Sequence, residues 1–292
     1  MAKVVTVFII VLNYNGKRTL SRCLRSIQTL EYARKEVVIV DNASTDGSLD
    51  IALDQMPTAH FIRNSENVGF ARGVNVGIRY ALDRGADFVW LLNADAFVSK
   101  DSLGRLVSLF RKHDSVGMVS PVIYEPRKAY QRRRRVWFAG GRINWLRFRA
   151  EHTRIRSRAH PFETGFLSGC ALLIRVSALK KVGLFDERFF LYYEDVDLSL
   201  RMKKMGYKTV VSPHASLVHS EESSQNPDKI YWLVRSGLFF FQKSFPTILQ
   251  PLFWLSFFVR QSINSLRRRI QPDDQTLILV EKAFRDFRTY GY

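Results

Sequence analysis

The sequence predicts an α/β fold, a parallel sheet with helices on both faces. Three observations carry that prediction. Strand and helix signals alternate through the first 115 residues, the pattern of a sheet built from crossover units. Three of the strand signals end in polar clusters, NYNG, DNASTDGS and NADA; ligands of such sheets sit beyond the carboxyl ends of the strands. The chain has 292 residues and is 46% hydrophobic, enough for a core, since a fold of this size buries roughly 75% of its extended-chain surface.

Taken in order, Val4–Leu12 is a nearly continuous apolar run and reads as a buried strand. Gly16–Leu30 reads as a helix, with Leu20, Leu24 and Ile27 at helical spacing. Glu36–Asp41 (EVVIVD) is a second buried strand, Asp46–Gln55 a helix, His60–Arg63 a short strand and Gly69–Asp83 a helix. In the last of these Gly73 and Gly77 continue a stripe begun by Gly69, a spacing that lets a helix approach a sheet or a ligand closely. Asp87–Asn93 (DFVWLLN) is a further strand and 101–113 a helix. Regular signals return at Phe166–Arg175, followed by a short helix at Ser177–Val182, a helix at Glu194–Met205, and strands at Lys208–Ser212 and Ser216–His219. The chain divides into a first half (1–115), a second half (116–225) and a carboxyl-terminal helical region (226–292).

Lys and Arg number 45 against 27 Asp and Glu, a formal charge of +18. The density of Val, Ile, Leu and Phe excludes a disordered chain. Two cysteines, Cys23 and Cys170, exclude a disulfide-rich scaffold and an all-cysteine zinc site; both read as small buried hydrophobes. The apolar run behind Lys3 leads into Asn13-Tyr14-Asn15-Gly16 without a small-residue cleavage pattern, so it reads as a strand and the chain is expected to stay in the cytoplasm.

Between 127 and 158 twelve basic residues meet one acidic residue, Glu151. This net of +11 reads as a long, partly mobile insertion over the site. Beyond 226, Tyr231–Phe245 and Thr247–Val259 are rich in Trp, Phe and Leu, and Arg267-Arg268-Arg269 follows. The longest uncharged run, Ser244–Val259, holds sixteen residues and two prolines, short of the roughly 20 a spanning helix needs. Amphipathic helices lying in a membrane interface fit this segment, as do helices packed on the globular domain and on a second copy of the chain.

Candidate chemistry lies at the strand ends. Asp95, two residues from Asn93 in LLNADAFV, has the chemistry of a hard-cation ligand and equally that of an Asx turn. Asp41 closes EVVIVD, where an acid can read a ribose or a base edge. No G-x-G-x-x-G or P-loop follows the first strand. Asn67 precedes the glycine-striped helix and is placed to cap it. Glu194, Asp195 and Asp197 crowd a helix start, which fits capping by the helix dipole and also a general base enclosed by Phe189, Phe190, Tyr192 and Tyr193. Asp197 and Arg201 are spaced for an i,i+4 ion pair. His219 ends a strand-like ASLVH, as a structural residue or a metal ligand.

Together these segments resemble the family 2 glycosyltransferases, in their bacterial rhamnosyltransferase-like branch. VFIIVLNYNG, VIVDNASTDGS, NVGFARGVNVGI, LLNADAFV, FLSGCALLIR, VGLFDERFFLYYEDVDLSLRMKKMGY and SPHASLVH occur in family order over about residues 4 to 220. The resemblance implies the GT-A fold, with a Rossmann-like, mixed but mostly parallel sheet. It also implies inverting, single-displacement transfer of a sugar, rhamnose among the candidates, from a UDP- or dTDP-sugar, with a divalent cation, Mg or Mn. Asn13, Tyr14 and Asp41 would hold the nucleoside, with Asn67 and Asn93 completing the donor side. Asp95 would be the metal-binding aspartate, in a motif whose first position here is Asn93, and His219 a second metal ligand. Asp195 matches the catalytic base, supported by Glu194. The acceptor would be a cell-surface glycan or polyprenyl-linked sugar, met by a protein peripheral on the inner face of the plasma membrane.

For the basic stretch two partners compete, the diphosphate of a polyprenyl acceptor with an anionic leaflet, and nucleic acid, with Trp137, Phe138, Trp145 and Phe148 as stacking platforms. The first is favoured, because the rest of the chain carries no nucleic-acid-binding signature. A solvated, partly disordered loop with no partner is the third reading of this stretch; for the whole chain the rivals are a nucleic-acid-binding protein and an inactive membrane scaffold on the same fold, and the aromatic carboxyl-terminal region offers a surface for homo-oligomers.

Overall fold

The computed structural model describes residues 5–127, 134–154, 159–220 and 228–290. Strands β1 (Val7–Asn13), β2 (Lys35–Asp41), β3 (His60–Arg63) and β4 (Phe88–Asn93) run parallel, ordered β4-β1-β2-β3. Helices α1 (Leu20–Gln28), α2 (Ser48–Gln55) and α3 (Gly69–Asp83) are their crossovers. β1 is buried from Val7 to Val11 without alternation, as expected of a strand covered on both faces. α1 buries Leu20, Cys23, Leu24 and Ile27 along one stripe. The glycines of α3 let its backbone lie on the sheet: a Cβ on Gly73 would sit 2.7 Å from Leu12 Cδ1, and one on Gly77 2.6 Å from Ile10.

The sheet is mixed because its second half reverses direction. After β5 (Ala96–Val98) and α4 (Ser102–Lys112) comes β6 (Val116–Tyr124); β11 (Ala171–Arg175) then inserts antiparallel between β4 and β6. β12 (Lys208–His219) runs parallel to β6 and antiparallel to β5. β12 is one strand where the sequence suggests two, with a register break between Ser212 and Ser216. β6 is fully buried except at its last residue and has no counterpart in the sequence reading. Pro121 hides it, since proline argues against a central strand; here it lies beside Ser212, at the register break.

The basic insertion is structured where it is described. β7 (Val136–Phe138) pairs with β6, and β8 (Gly141–Asn144) and β9 (Arg149–His152) form a hairpin. The rest of the segment read as a partly mobile insertion, 128–133 and 155–158, lies outside the described residues. The aromatic side chains proposed as stacking platforms are engaged internally: Phe138 is fully buried, Trp137 packs on His219, and Trp145 and Phe148 lie against Phe241 and Phe245. With those rings committed, the nucleic-acid reading of this stretch loses its stacking surface. β10 (Phe162–Glu163) closes the outer sheet edge on β12.

α5 (Val176–Val182) and α6 (Glu194–Lys204) return the chain to the sheet, and a layer of α7 (Lys229–Ser244), α8 (Gln250–Ile270) and α9 (Gln275–Tyr290) follows. Phe239, Phe240, Phe241, Phe253, Phe257, Phe284 and Phe287 are buried and join the main core. α8 turns its other side outward: Leu252, Leu255, Phe258, Val259, Ile263, Leu266 and Ile270 are exposed. Both readings of this region thus have a face on the same helices. Among the described residues no helix is long and apolar enough to cross a membrane.

Candidate active site

The parallel register brings the polar strand ends together. Asn13 pairs with Asp41 across β1 and β2, and Leu12 with Asn93 across β1 and β4. Both Asn13 and Asp41 are fully buried. Asn13 Nδ2 donates to Asp41 Oδ1 (2.8 Å), Ser44 Oγ (3.1 Å) and Ser48 Oγ (2.8 Å). Asp41 Oδ2 accepts the Ser44 N–H at 3.0 Å, and Arg63 Nε lies 3.8 Å away. This network knits NYNG to DNASTDGS at the ends of β1 and β2, and the neighbouring Tyr14 is 53% exposed. Asn67 Oδ1 accepts the Gly69 N–H at 3.0 Å, and Asn42 Nδ2 bridges Asn67 Oδ1 and the Gly69 carbonyl. The entrance to α3 is thereby tied to the end of β2.

Asp95 and His219, far apart in sequence, meet through the β5–β12 ladder. His219 lies opposite Ala96, and the Ser220 N–H donates to the Asp95 carbonyl at 3.0 Å. His219 Nε2 is 3.1 Å from Asp95 Oδ1. The ring is buried, and the Trp137 ring meets it edge-on at 4.6 Å between centroids. Burial opposes the charged imidazolium, but Cys170 and the Asp95 carboxylate together raise the His219 pKa well above its ordinary value. Sequence reasoning missed Trp137 and Cys170 as neighbours of this pair, and only the fold brings them there.

A cavity of about 340 Å³ opens beside this pair, reaching Asn93, Gly169, His219, Glu194 and Asp195. Asp195 lies in the first turn of α6. Its Oδ2 accepts the Gly169 N–H (2.9 Å) and its Oδ1 the Val196 N–H (2.8 Å). Burial raises its pKa from 3.8 to about 6, against the pull of those hydrogen bonds. Above that pH the group is an ionised base with lone pairs to spare, since a carboxylate offers about four acceptor sites. Glu194 is 5% exposed, and its buried Oε2 has no hydrogen-bond partner. Its pKa is pushed well up, first by burial and then by the Asp195 charge. Asp197 points away, clamped by Arg201 Nε (2.7 Å) and Lys243 Nζ (2.5 Å), as the i,i+4 spacing to Arg201 suggests.

Strain marks the turn that delivers these acids. Tyr192 and Tyr193 both adopt left-handed backbone, φ 68° and 67°, a region costing roughly 1–2 kcal/mol per residue for side chains of this kind. The surroundings enforce it: the Phe190 carbonyl accepts the Phe70 N–H (2.7 Å), and Ser236 Oγ on α7 donates to the Leu191 carbonyl (2.8 Å). The Tyr193 ring packs on Phe240 and Phe241. The carboxyl-terminal helices therefore buttress the turn in front of Asp195, a role nothing in their sequence announces.

Residues 8–183, more than half of the chain, match the sequence profile of Glycosyl transferase family 2. The chain belongs to glycosyltransferase family 2. Among the relatives of this glycosyltransferase is an N-acetylglucosaminyl-diphospho-decaprenol L-rhamnosyltransferase of Mycobacterium tuberculosis, 30% identical over 75% of this chain and 78% of the relative. A dTDP-rhamnosyl transferase of Shigella flexneri is 24% identical over 73% of this chain and 69% of its own. In fold, the glycosyltransferase is similar to a mannosyltransferase of Pyrobaculum calidifontis solved with GDP-Man and Mn²⁺, with a TM-score of 0.63 and 21% identity over all of this chain and 77% of that one. It is also similar to GalNAc-T7 solved with UDP, GalNAc and Mn²⁺, with a TM-score of 0.62 and 17% identity over 74% of this chain and 43% of that one. The GT-A architecture expected from the motifs is the one present.

Proposed function

We propose that this family 2 glycosyltransferase transfers a sugar, rhamnose in the favoured case, from a dTDP- or UDP-sugar to a hydroxyl of a polyprenyl-linked or polysaccharide acceptor, with inversion. The observation that carries the reading is Asp195: a carboxylate with a pKa of about 6, held by two backbone N–H groups at the wall of a cavity it shares with Asn93 and His219. The names of the rhamnosyltransferase relatives support the choice of sugar and acceptor class.

In this scheme the Asn13–Asp41 network and Tyr14 receive the nucleoside, with Asn67 and Asn93 lining its path toward the cavity. The acceptor hydroxyl enters beside Asp195, which takes its proton as the oxygen attacks the anomeric carbon from the face opposite the diphosphate. One base suffices, because no covalent sugar–enzyme intermediate is formed. Glu194, with its raised pKa, limits the negative charge beside Asp195.

Asp95 and His219 suit a divalent cation, Mg²⁺ or Mn²⁺. Their donor atoms, His219 Nε2 and Asp95 Oδ1, lie side by side at 3.1 Å and would hold the ion together. The His219 ring nitrogens make no well-directed hydrogen bond, as befits a ligand. Cys170 lies beside the pair, but among the described residues no group of three His, Cys, Asp or Glu side chains is placed to hold a metal ion, so further ligands would come from outside the protein. When bound, the ion supplies positive charge to offset that developing on the leaving diphosphate.

The exposed apolar stripe of α8 and the Arg267–Arg269 run at its end support a peripheral place on an anionic cytoplasmic membrane face. The reading keeps a donor half (1–115), an acceptor and catalytic half (116–225) and a helical buttress (226–292). Calorimetric titration of UDP and of dTDP, with and without Mn²⁺ or Mg²⁺, tests it: metal-enhanced binding of one of them is expected, and no binding of either under any condition overturns it.

A further inference from the structure

A second and larger cavity, about 620 Å³, lies between α7, α8, α9 and the β8–β9 hairpin. Its volume falls within the roughly 300–1,000 Å³ of small-molecule sites. Phe241, Phe253, Phe257 and Phe284 form apolar walls, and three guanidinium groups, Arg149, Arg260 and Arg267, line it as well. Among the described residues none of the three has a carboxylate within ion-pairing distance, although thirteen other Arg or Lys side chains do. Arg260 is bound by its Nη2 to the Arg147 carbonyl (2.6 Å). Burial and the nearby Arg149 charge lower its pKa. Arg260 is half-buried while Arg149 and Arg267 are exposed; an anion would offset the three like charges, and the arginine fork matches phosphate oxygens.

Two connections give the cavity a direction. On one side it shares Ala150, Tyr193 and Leu233 with the cavity that holds Asp195, so the two cavities have a common wall. On another, Ile263 and Arg267 belong both to its lining and to the exposed side of α8, where Ile263 is 48% exposed within the apolar stripe. The cavity therefore stands between an apolar surface and the wall of the Asp195 cavity, with three arginines along its lining.

We propose that this cavity is the acceptor site for a lipid diphosphate, with the first part of the hydrocarbon chain among the phenylalanines, the diphosphate on Arg149, Arg260 and Arg267, and the attached sugar presented to Asp195. The proposal rests on the transferase reading and names its acceptor class and location. Its order of groups matches the order of surfaces: the apolar tail faces the membrane side, the charge lies in the middle, and the reacting hydroxyl is innermost.

The test is calorimetric titration of the full chain with farnesyl diphosphate, farnesol and inorganic diphosphate, each with and without UDP and Mn²⁺. Farnesyl diphosphate should bind at least tenfold more tightly than either of its halves, and should still bind when UDP occupies the donor pocket. Arg260→Gln should weaken it roughly tenfold or more, as loss of a charged hydrogen bond does. Ser256→Trp, which fills the recess, should do the same. Should either variant fail to fold, Arg149→Gln, on an exposed hairpin position, provides the same comparison. Affinity no better than that of inorganic diphosphate, displacement by UDP, or indifference to the variants overturns the proposal. Loss of this binding while UDP still binds rejects the lipid site alone; retained lipid binding with no nucleotide binding rejects the transferase reading instead.

Discussion

Replacing Asp195 with asparagine separates catalysis from stability in one experiment. A general base is worth about 10²–10⁴-fold in rate, so Asp195→Asn should lower kcat by that factor, about 3–5 kcal/mol of barrier. Stability should move the other way. The native pKa of about 6 exceeds the ordinary 3.8, so between these values the folded state binds more protons than the unfolded one. Stability contributed by this group is therefore lost as pH rises through that window, to roughly 3 kcal/mol above pH 6. Asparagine has no charge to bury and escapes this cost. It can accept only one of the two N–H donors that Asp195 accepts from Gly169 and Val196, and the other, facing its NH₂ group, gives back about 1–3 kcal/mol. The variant should thus be as stable as the parent or up to about 2 kcal/mol more stable at pH 8, and less stable than the parent by up to about 2 kcal/mol near pH 4, where the charge cost is nearly gone and the lost acceptor remains. Denaturant titrations at the two pH values, alongside kcat/KM profiles of the parent from pH 5 to 8, measure both effects. The parent profile should rise through about pH 6 and level off. Unchanged turnover in the variant, or a flat profile, refutes Asp195 as the base; an equal stability difference at both pH values refutes the raised pKa.

Other residues give sharper local tests. Asp95→Ala should weaken Mn²⁺-dependent nucleotide binding at least tenfold while sparing the metal-free component, read by calorimetry; an unchanged metal dependence would move the cation elsewhere. Asp197→Asn removes the partner of Arg201 and Lys243 at a 2%-exposed position and should cost about 3–5 kcal/mol, a fall in Tm of roughly 6–20 °C by scanning calorimetry. Gly69→Ala forces a side chain onto a φ of 80° and within 2.4 Å of the Phe190 carbonyl; it should cut both Tm and turnover, since that carbonyl anchors the turn before Asp195. Leu255→Glu with Leu266→Glu should release the protein from anionic vesicles in a flotation assay; retained flotation would assign the α8 stripe to another partner, and sedimentation would show whether that is a second copy.

The first half of the chain, residues 1–115, was legible because its information is local. A buried parallel strand announces itself as an apolar run and a crossover helix by its stripe, and the strand ends follow, so Asn13, Asp41 and Asn93 could be located from the sequence. The second half resisted for a physical reason: its elements are defined by pairing over long separations. β6 contains a proline that local rules reject, tolerated beside a register break in β12, and the hairpin β8–β9 lies within a run whose charge suggests a loop. Asp95 and His219 were each ambiguous alone, because an aspartate after a strand is usually a turn residue and a lone histidine usually structural. Only the antiparallel step of β5 onto β12 turns two weak signals into one pair.

The helices beyond 226 teach a related lesson. Their sequence allows two burial schemes, on the protein or on a bilayer, and amphipathic periodicity cannot choose, since each scheme needs only one apolar face. α8 carries two: Phe253 and Phe257 face inward, while Leu255, Phe258 and Leu266 face outward. A helix with apolar residues on both sides, closed by Arg267–Arg269 and lining the cavity between α7 and α9, is suited to join a core to a second apolar surface. The same layer donates Ser236 to the Leu191 carbonyl and packs Phe240 on Tyr193, holding the strained turn before Asp195. The Tyr192–Tyr193 turn before Asp195 is thus held in left-handed backbone by contacts that come from α7, far along the chain, which is why no local rule could foresee it.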